Sequence, residues 1–238
     1  MLHVLKGGTD TASMMLFDPA TLPDDFDEKS KAEGIELFEK LQQAGRLWWT
    51  GTDGDGRYLL NLYVDESPPT RFAPALRDPI TISAFKVPGG MLVFAGAEYA
   101  YRTDDSFLRK HSHMGEAASV PAGTYTLTMH RTEYPEDEIE LKFRTMVSPW
   151  RFRLHQRFGL LIMAALVGVI LGSLWWFTTI TAQSRVMAAA IAALAVAIPI
   201  FAHRSRPFRE TDKIWRELEL DYPSMVGELR RSSPRDSH

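Results

Sequence analysis

Two long apolar runs dominate the hydrophobic and polar pattern of the chain. Residues 158–180 read FGLLIMAALVGVILGSLWWFTTI and residues 186–202 read VMAAAIAALAVAIPIFA, and neither run contains a charged side chain. As helices they would be about 35 and about 26 Å long, against a hydrocarbon core of about 30 Å. Only residues 181–185 separate them, so the pattern predicts an antiparallel helical hairpin that crosses a membrane twice.

Small residues recur every four positions along both predicted helices. They are Ala164, Gly168 and Gly172 in the first helix and Ala189, Ala193 and Ala197 in the second. Small side chains let helix backbones approach closely in lipid. The spacing therefore predicts that the two helices pack on each other, and it leaves open a contact with a second copy or another membrane protein. Neither run holds an ionisable side chain, which argues against a transporter or pump.

Shorter patterns before the hairpin predict strands with one helix. Residues 28–44 carry apolar side chains at helical spacing, with Asp27 as the N-cap and Gly45 as the stop. Runs bounded by turn residues predict strands at 46–50, 57–64, 80–87, 91–101, 124–130 and 138–146, with weaker ones near 2–5 and 12–17. The expected fold class is α+β, a β-rich soluble N-terminal domain of about eight strands and one helix.

These patterns divide the chain into successive parts. The expected order is a cytosolic β-rich domain over 1–146, a basic and aromatic juxtamembrane linker over 147–157, transmembrane helices over 158–180 and 186–203 around an outer loop at 181–185, and a cytosolic tail over 204–238. In the tail, the apolar spacing predicts a short C-terminal amphipathic helix at about 210–220, and the polar end from Arg230 predicts disorder.

Charge is distributed unevenly between the two parts of the chain. Residues 1–141 carry 13 Lys and Arg against 23 Asp and Glu, whereas residues 142–238 carry 14 against 7. Several cations precede the first apolar run and follow the second, whereas the loop that connects the two runs has only Arg185. Because positive charge is retained on the cytoplasmic side, we expect both termini in the cytoplasm. The acidic first part argues against a nucleic-acid partner.

Aromatic side chains accompany the cations at the predicted membrane surfaces. Trp150, Phe152 and Phe158 would lie near the inner surface, and Phe177 near the outer one, as in the aromatic belts of membrane proteins. The lipid bilayer is therefore an expected partner. The predicted interface anchors are Trp150, Arg151, Arg153, Arg157, Trp175, Trp176, Arg204 and Arg206.

Candidate chemistry in the first part of the chain is sparse. The absence of cysteine excludes disulfides, thiolate metal sites and Cys nucleophiles. His111 and His113, with Glu116 nearby, are the metal-ligand candidates, but two His side chains two residues apart converge only in an extended segment. The pattern favours a polar loop between strands, so no metal and no cofactor is predicted.

Two adjacent tryptophans lie in the first predicted hairpin. Trp48 and Trp49 would point to opposite faces of a strand, because side chains alternate. One ring would then be exposed and available to a partner, unless both faces of the sheet are covered. The sequence leaves these two possibilities equal.

These observations favour a membrane-anchored, non-enzymatic binding or regulatory protein with a cytosolic interaction domain. No nucleophile elbow, phosphate-binding glycine loop or His-Glu-x-x-His motif is present. The layout fits an accessory subunit, an envelope-stress component or an immunity protein in a bacterial inner membrane, with a protein partner or a second copy. Two alternatives remain: a membrane-bound metal-dependent hydrolase or transferase using His111, His113 and Glu116, and a subunit of an oligomeric membrane assembly.

Overall fold

The computed structural model describes residues 1–178 and 181–232, except for the side chains of residues 136, 182 and 185. These residues form two compact units. The first combines Met1–Tyr134 with residues 223–232, and the second is Pro135–Tyr222. The fold is mixed α+β, with nine strands in two sheets among the described residues.

The first unit contains all of these strands. In chain order its elements are β1 (Leu2–Thr9), β2 (Ser13–Phe17), α1 (Phe26–Glu33), α2 (Ile35–Gln43), β3 (Leu47–Gly51), β4 (Gly56–Val64), β5 (Leu76–Val87), β6 (Met91–Gly96), α3 (Ser106–Lys110), β7 (Gly115–Ser119), β8 (Gly123–Thr132) and β9 (Met225–Arg231).

The second unit is helical. Its elements are α4 (Glu136–Met146), α5 (Pro149–Gln156), α6 (Phe158–Thr178), α7 (Ala182–Arg204) and α8 (Arg206–Glu219). Helices α4, α5 and α8 surround a small core of Phe143, Val147, Phe152 and Leu218. The long helices α6 and α7 pack along each other.

The strands of the first unit form two sheets. The larger has the order β1-β4-β9-β8-β5, and the smaller has the order β3-β2-β6-β7. Neighbouring strands are antiparallel except β4 and β9, which run parallel. The last of the described strands, β9, therefore lies in the middle of the larger sheet.

The hydrophobic core of the first unit lies on both faces of the smaller sheet. Because side chains alternate along β2, Met14 and Leu16 join the buried cluster shared with the larger sheet. Met15 and Phe17 point the other way, into a second buried cluster completed by α1 and α2. The helices thus cover the face of the smaller sheet that the larger sheet does not.

The predicted helix over 28–44 is divided in two. Gly34, with a φ of +52°, separates α1 from α2, and Gly45, with a φ of +68°, follows α2 as the expected stop. The prediction of Asp27 as the N-cap is wrong, since Asp25 precedes α1. The Asp27 carboxylate instead accepts hydrogen bonds from the backbone N–H groups of residues 102, 103 and 104.

Residues 138–146 form a helix rather than the expected strand. The segment has apolar side chains at Ile139, Leu141 and Phe143, which fit a strand, but Ile139 and Phe143 also fit a helix. In α4, Phe143 is 1% exposed and Leu141 is 62% exposed. Packing against α8 therefore selects the helical period in a segment that matches both.

The tail also differs from the expectation. The helix predicted at about 210–220 is longer, because α8 starts at Arg206. Disorder was expected from Arg230, whereas Arg230 and Arg231 end strand β9. The two arginines are tolerated at the end of this strand because β4 and β8 pair with it on both sides and bury Val226 and Leu229. Residues 233–238 lie outside the described part of the chain.

Candidate membrane interface

The helices α6 and α7 are long and apolar enough to cross a membrane. Their 21 and 23 residues correspond to about 32 and about 35 Å. Exposed apolar side chains cover them, among them Leu160, Met163, Leu166, Ile170, Leu174, Ile198 and Phe201. Such a surface matches hydrocarbon rather than water.

The predicted loop between the two helices is mostly helical. The hydroxyl of Thr181 accepts a hydrogen bond from the backbone N–H of Ser184, so Thr181 is the N-cap of α7. Residues 182–185 consequently form its first turn. The expected helix ends at 180 and 186 fall close to these boundaries, and residues 179–180 lie outside the described residues.

Small residues hold the hairpin together, on a different face of α7 from the one expected. A Cβ added at Gly168 would lie 2.9 Å from the Cβ of Ala195, and one at Gly172 would lie 3.2 Å from the Cβ of Ala192. Of the other expected packing residues, Ala164, Ala189 and Ala193 are exposed, and Ala197 is half-buried. The sequence spacing of four residues fits several faces of an Ala-rich helix, and the contact with α6 selects one of them.

Aromatic rings pack where the hairpin joins α8. The ring of Phe158 lies 4.4 Å from that of Phe208 and 5.7 Å from that of His203. His155 lies 5.2 Å from Phe143, and burial lowers the pKa of its imidazole, although nearby Asp212 and Glu219 act in the opposite direction. The lowered pKa keeps His155 neutral at neutral pH, so it adds no charge to this region.

The aromatic side chains expected at the membrane surfaces separate into buried and exposed groups. Phe152, expected near the inner surface, is 6% exposed and belongs to the core of α4, α5 and α8. Trp150 is 51% exposed, with the guanidinium of Arg151 lying 5.6 Å from its ring. Near the end of α6, Trp175 and Trp176 are partly exposed. Accessible tryptophans therefore lie in α5, which precedes the hairpin, and near the end of α6.

The arginines near the hairpin also form two groups. Glu210 pairs with Arg151 at 3.2 Å and with Arg206 at 2.8 Å. Hydrogen bonding to Arg206, with a smaller contribution from Arg151, lowers the pKa of the Glu210 carboxyl and keeps it ionised. These two expected anchors are thus partly neutralised within the protein.

Four other arginines have no carboxylate partner among the described residues. They are Arg153, Arg157, Arg204 and Arg209. Arg157 directly precedes α6 and Arg204 is the last residue of α7. Arg209 was absent from the expected anchors, because sequence alone does not show which cations form ion pairs with Glu210. These four residues, the arginine quartet, are free to interact with phosphate groups.

The structure does not assemble the metal-ligand candidates of the first unit. His111 lies 6.4 Å from His113 between ring centroids and 5.0 Å from the ring of Phe107. The Glu116 carboxylate accepts a hydrogen bond from the backbone N–H of Lys6. Across residues 1–178 and 181–232, no group of three or more His, Asp or Glu side chains could hold a metal ion.

The adjacent tryptophans of β3 point to opposite faces of the smaller sheet. Trp48 is 2% exposed in the cluster shared by the two sheets. Trp49 is half-buried, and its ring lies 6.2 Å from that of Phe38 in α2. Both faces of this strand are covered. Of the two possibilities that the sequence left open, an exposed ring or a sheet covered on both faces, the structure has the covered sheet.

Comparisons with known proteins do not assign the chain to a family. No protein-family model matches the chain, and no curated protein is similar to it in sequence. A solved chain described as "Crocagin biosynthetic gene J" is 14% identical, with a TM-score of 0.41, and the match covers 60% of this chain and 82% of that one. A likeness this distant carries no argument about function.

Proposed function

We propose that this chain is a membrane-anchored, non-enzymatic binding protein, with its first unit in the cytoplasm and its helical hairpin crossing the membrane twice. The observation that carries the proposal is the place of β9. This strand follows the hairpin in sequence and pairs with β4 and β8, which precede it. Chain segments that share one sheet lie on the same side of a membrane, so the hairpin between them crosses an even number of times.

The direction of the hairpin follows from charge. In the arginine quartet, Arg157 directly precedes α6 and Arg204 ends α7. Arg153 and Arg209 lie a few residues further from the hairpin, in α5 and α8. Cations at these positions favour the cytoplasmic side and its anionic lipids. The first unit would then act as the binding part, and a protein partner or a second copy of the chain would be recovered with it from gently solubilised membranes.

Single-cysteine labelling tests this topology, because the natural chain contains no cysteine. Lys31→Cys in α1, Gln183→Cys at the start of α7 and Glu217→Cys in α8 replace exposed side chains. In membrane vesicles, a membrane-impermeant maleimide should label positions 31 and 217 only from the cytoplasmic side, and position 183 only from the opposite side.

The sides from which positions 31, 183 and 217 are labelled distinguish the possible topologies. Labelling of positions 31 and 217 from opposite sides would mean a single crossing and would refute the proposal. Labelling of all three from the cytoplasmic side would mean that the hairpin does not cross. Each variant should also react fully after detergent is added, which shows that its thiol is accessible.

The arginine quartet should set a preference for anionic lipid. Replacing Arg153, Arg157, Arg204 and Arg209 by Gln removes cations that are each worth about 1 kcal/mol beside an anionic surface. We expect the ratio of bound phosphatidylglycerol to phosphatidylcholine to fall at least about tenfold. Native mass spectrometry of protein released from mixed nanodiscs measures this ratio.

A matched variant separates position from net charge. Lys142, Arg144, Lys213 and Arg216 all have carboxylate partners within the second unit. Changing these four to Gln alters the formal charge by the same amount and should leave most of the lipid preference intact. An equal loss in both variants would show that overall charge, rather than the quartet, determines lipid binding.

A further inference from the structure

A cavity of about 620 Å³ opens on the first unit. Four separate parts of the chain form its walls: the segment before α1, Arg46 after α2, the end of β5 with Lys86, and the start of β8 with Thr124. Small-molecule sites in proteins commonly have volumes of about 300–1,000 Å³. The cavity is therefore large enough for a metabolite.

Hydrogen bonds to the backbone fix the chain segments that carry the two cations of this cavity. The N–H of Lys86 donates to the carbonyl of Gly45 at 2.8 Å, which fixes the residue before Arg46 against β5. The hydroxyl of Thr21 donates to the carbonyl of Arg46 at 2.6 Å. These bonds connect three of the four walls, so the positions of Arg46 and Lys86 are set by the fold.

The two cations have no acidic partner in the protein. Among the described residues, neither the guanidinium of Arg46 nor the ammonium group of Lys86 forms an ion pair or a hydrogen bond. Asp24, the acidic residue of the wall, has a fully exposed side chain and lies 3.5 Å from Arg102. Arg46 is half-buried and Lys86 is exposed, and no carboxylate among the described residues compensates either charge.

This arrangement contrasts with the charge of the rest of the first unit. Residues 1–141 have a large excess of acidic side chains, yet this cavity has two free cations on neighbouring walls. Arg46 and Lys86 place two positive charges around one cavity, and an anion bound there would be attracted to both. Guanidinium and ammonium groups are both common partners of phosphate oxygens.

We propose that this cavity binds a soluble phosphorylated small molecule, with Arg46 and Lys86 as its charge partners. The exposed hydroxyl of Thr124, which pairs opposite Lys86 in the sheet, lies on the same wall and is available to donate a hydrogen bond. The site belongs to the first unit alone. It is independent of whether α6 and α7 cross a membrane.

Pyrophosphate is the probe for this site, since its two phosphate groups match two cations. Isothermal titration calorimetry of the full-length chain in maltoside micelles should detect binding of pyrophosphate at millimolar or lower concentration. Arg46→Gln and Lys86→Gln should each weaken binding about tenfold. Arg46→Lys, which keeps the charge and loses the planar fork, should give an intermediate affinity.

Arg57→Gln is the matched control, because Arg57 is an exposed cation of β4 outside the cavity. It should bind pyrophosphate like the natural chain. No heat of binding up to about 10 mM pyrophosphate would overturn the proposal. Equal weakening in the three Gln variants would also overturn it, because it would indicate attraction to net charge alone. The melting temperature of each variant verifies its folding.

Discussion

A chain that ends at Tyr222 should lose the cooperative unfolding transition of its first unit. This truncation leaves the second unit whole but removes β9 from between β4 and β8. The larger sheet would be divided, and the residues of β4 and β8 that pair with β9 would lose their partners. The backbone of these strands would have to find water or misfold, because unpaired strand edges are costly when buried.

The apolar side chains of β9 give a rough size for this effect. Met225, Val226 and Leu229 are each at most 1% exposed. Burying such a side chain contributes about 1.5–3 kcal/mol, and a whole domain is stable by only about 5–15 kcal/mol. The loss of three of them, together with the central hydrogen bonds, is comparable to the entire stability of the first unit.

Urea unfolding and limited proteolysis of the full-length and truncated chains in detergent measure this effect. A chain ending at Ser232 is the control, since it removes only residues 233–238 and keeps β9 complete. It should unfold like the natural chain. If the chain ending at Tyr222 retained the same transition, β9 would not be an integral strand of the sheet.

Because β9 belongs to the first unit, residues 1–146 alone do not contain every strand of that unit. A fragment with those boundaries lacks the central strand of the larger sheet. The first unit can therefore reach its final fold only after the hairpin and α8 have been synthesised. Experiments on this unit require the full chain, or a design that reconnects β9 to β8 by a short loop.

Gly45→Ala should destabilise the first unit by about 3 kcal/mol or more. Gly45 has a φ of +68°, and a Cβ there would overlap the backbone carbonyl of Ala84 in β5. Because that carbonyl belongs to a strand, the clash is relieved only by moving the backbone. The movement would also weaken the hydrogen bond from Lys86 to the Gly45 carbonyl.

Gly34→Ala separates the cost of backbone strain from the cost of the clash with the Ala84 carbonyl. Gly34 also has a positive φ, +52°, but no atom beyond its neighbours along the chain lies within 4 Å of the position its Cβ would take. This control should cost about 1–3 kcal/mol, from backbone strain alone. The free energies of unfolding in urea of both variants provide the comparison. Equal losses would show that the contact between Gly45 and β5 contributes little.

The chain's own sequence determined the long helices of the second unit. The segments 158–180 and 186–203 were identified by length and apolar composition, and α6 and α7 lie within a few residues of those limits. A helix satisfies its backbone hydrogen bonds internally, so its presence is readable from one continuous segment. The stop at Gly45 was readable for the same local reason, since a positive φ favours glycine.

Tertiary structure decided the features that depend on a partner distant in sequence. The segment 225–231, which ends in two arginines, becomes β9 only because β4 and β8 supply hydrogen bonds on both sides. Residues 138–146 become helical because α8 covers Phe143. Tertiary contacts also decide which face of α7 packs against Gly168 and which arginines form ion pairs with Glu210. Sequence periodicity specifies which conformations a segment can adopt, and contacts made across the fold select one of them.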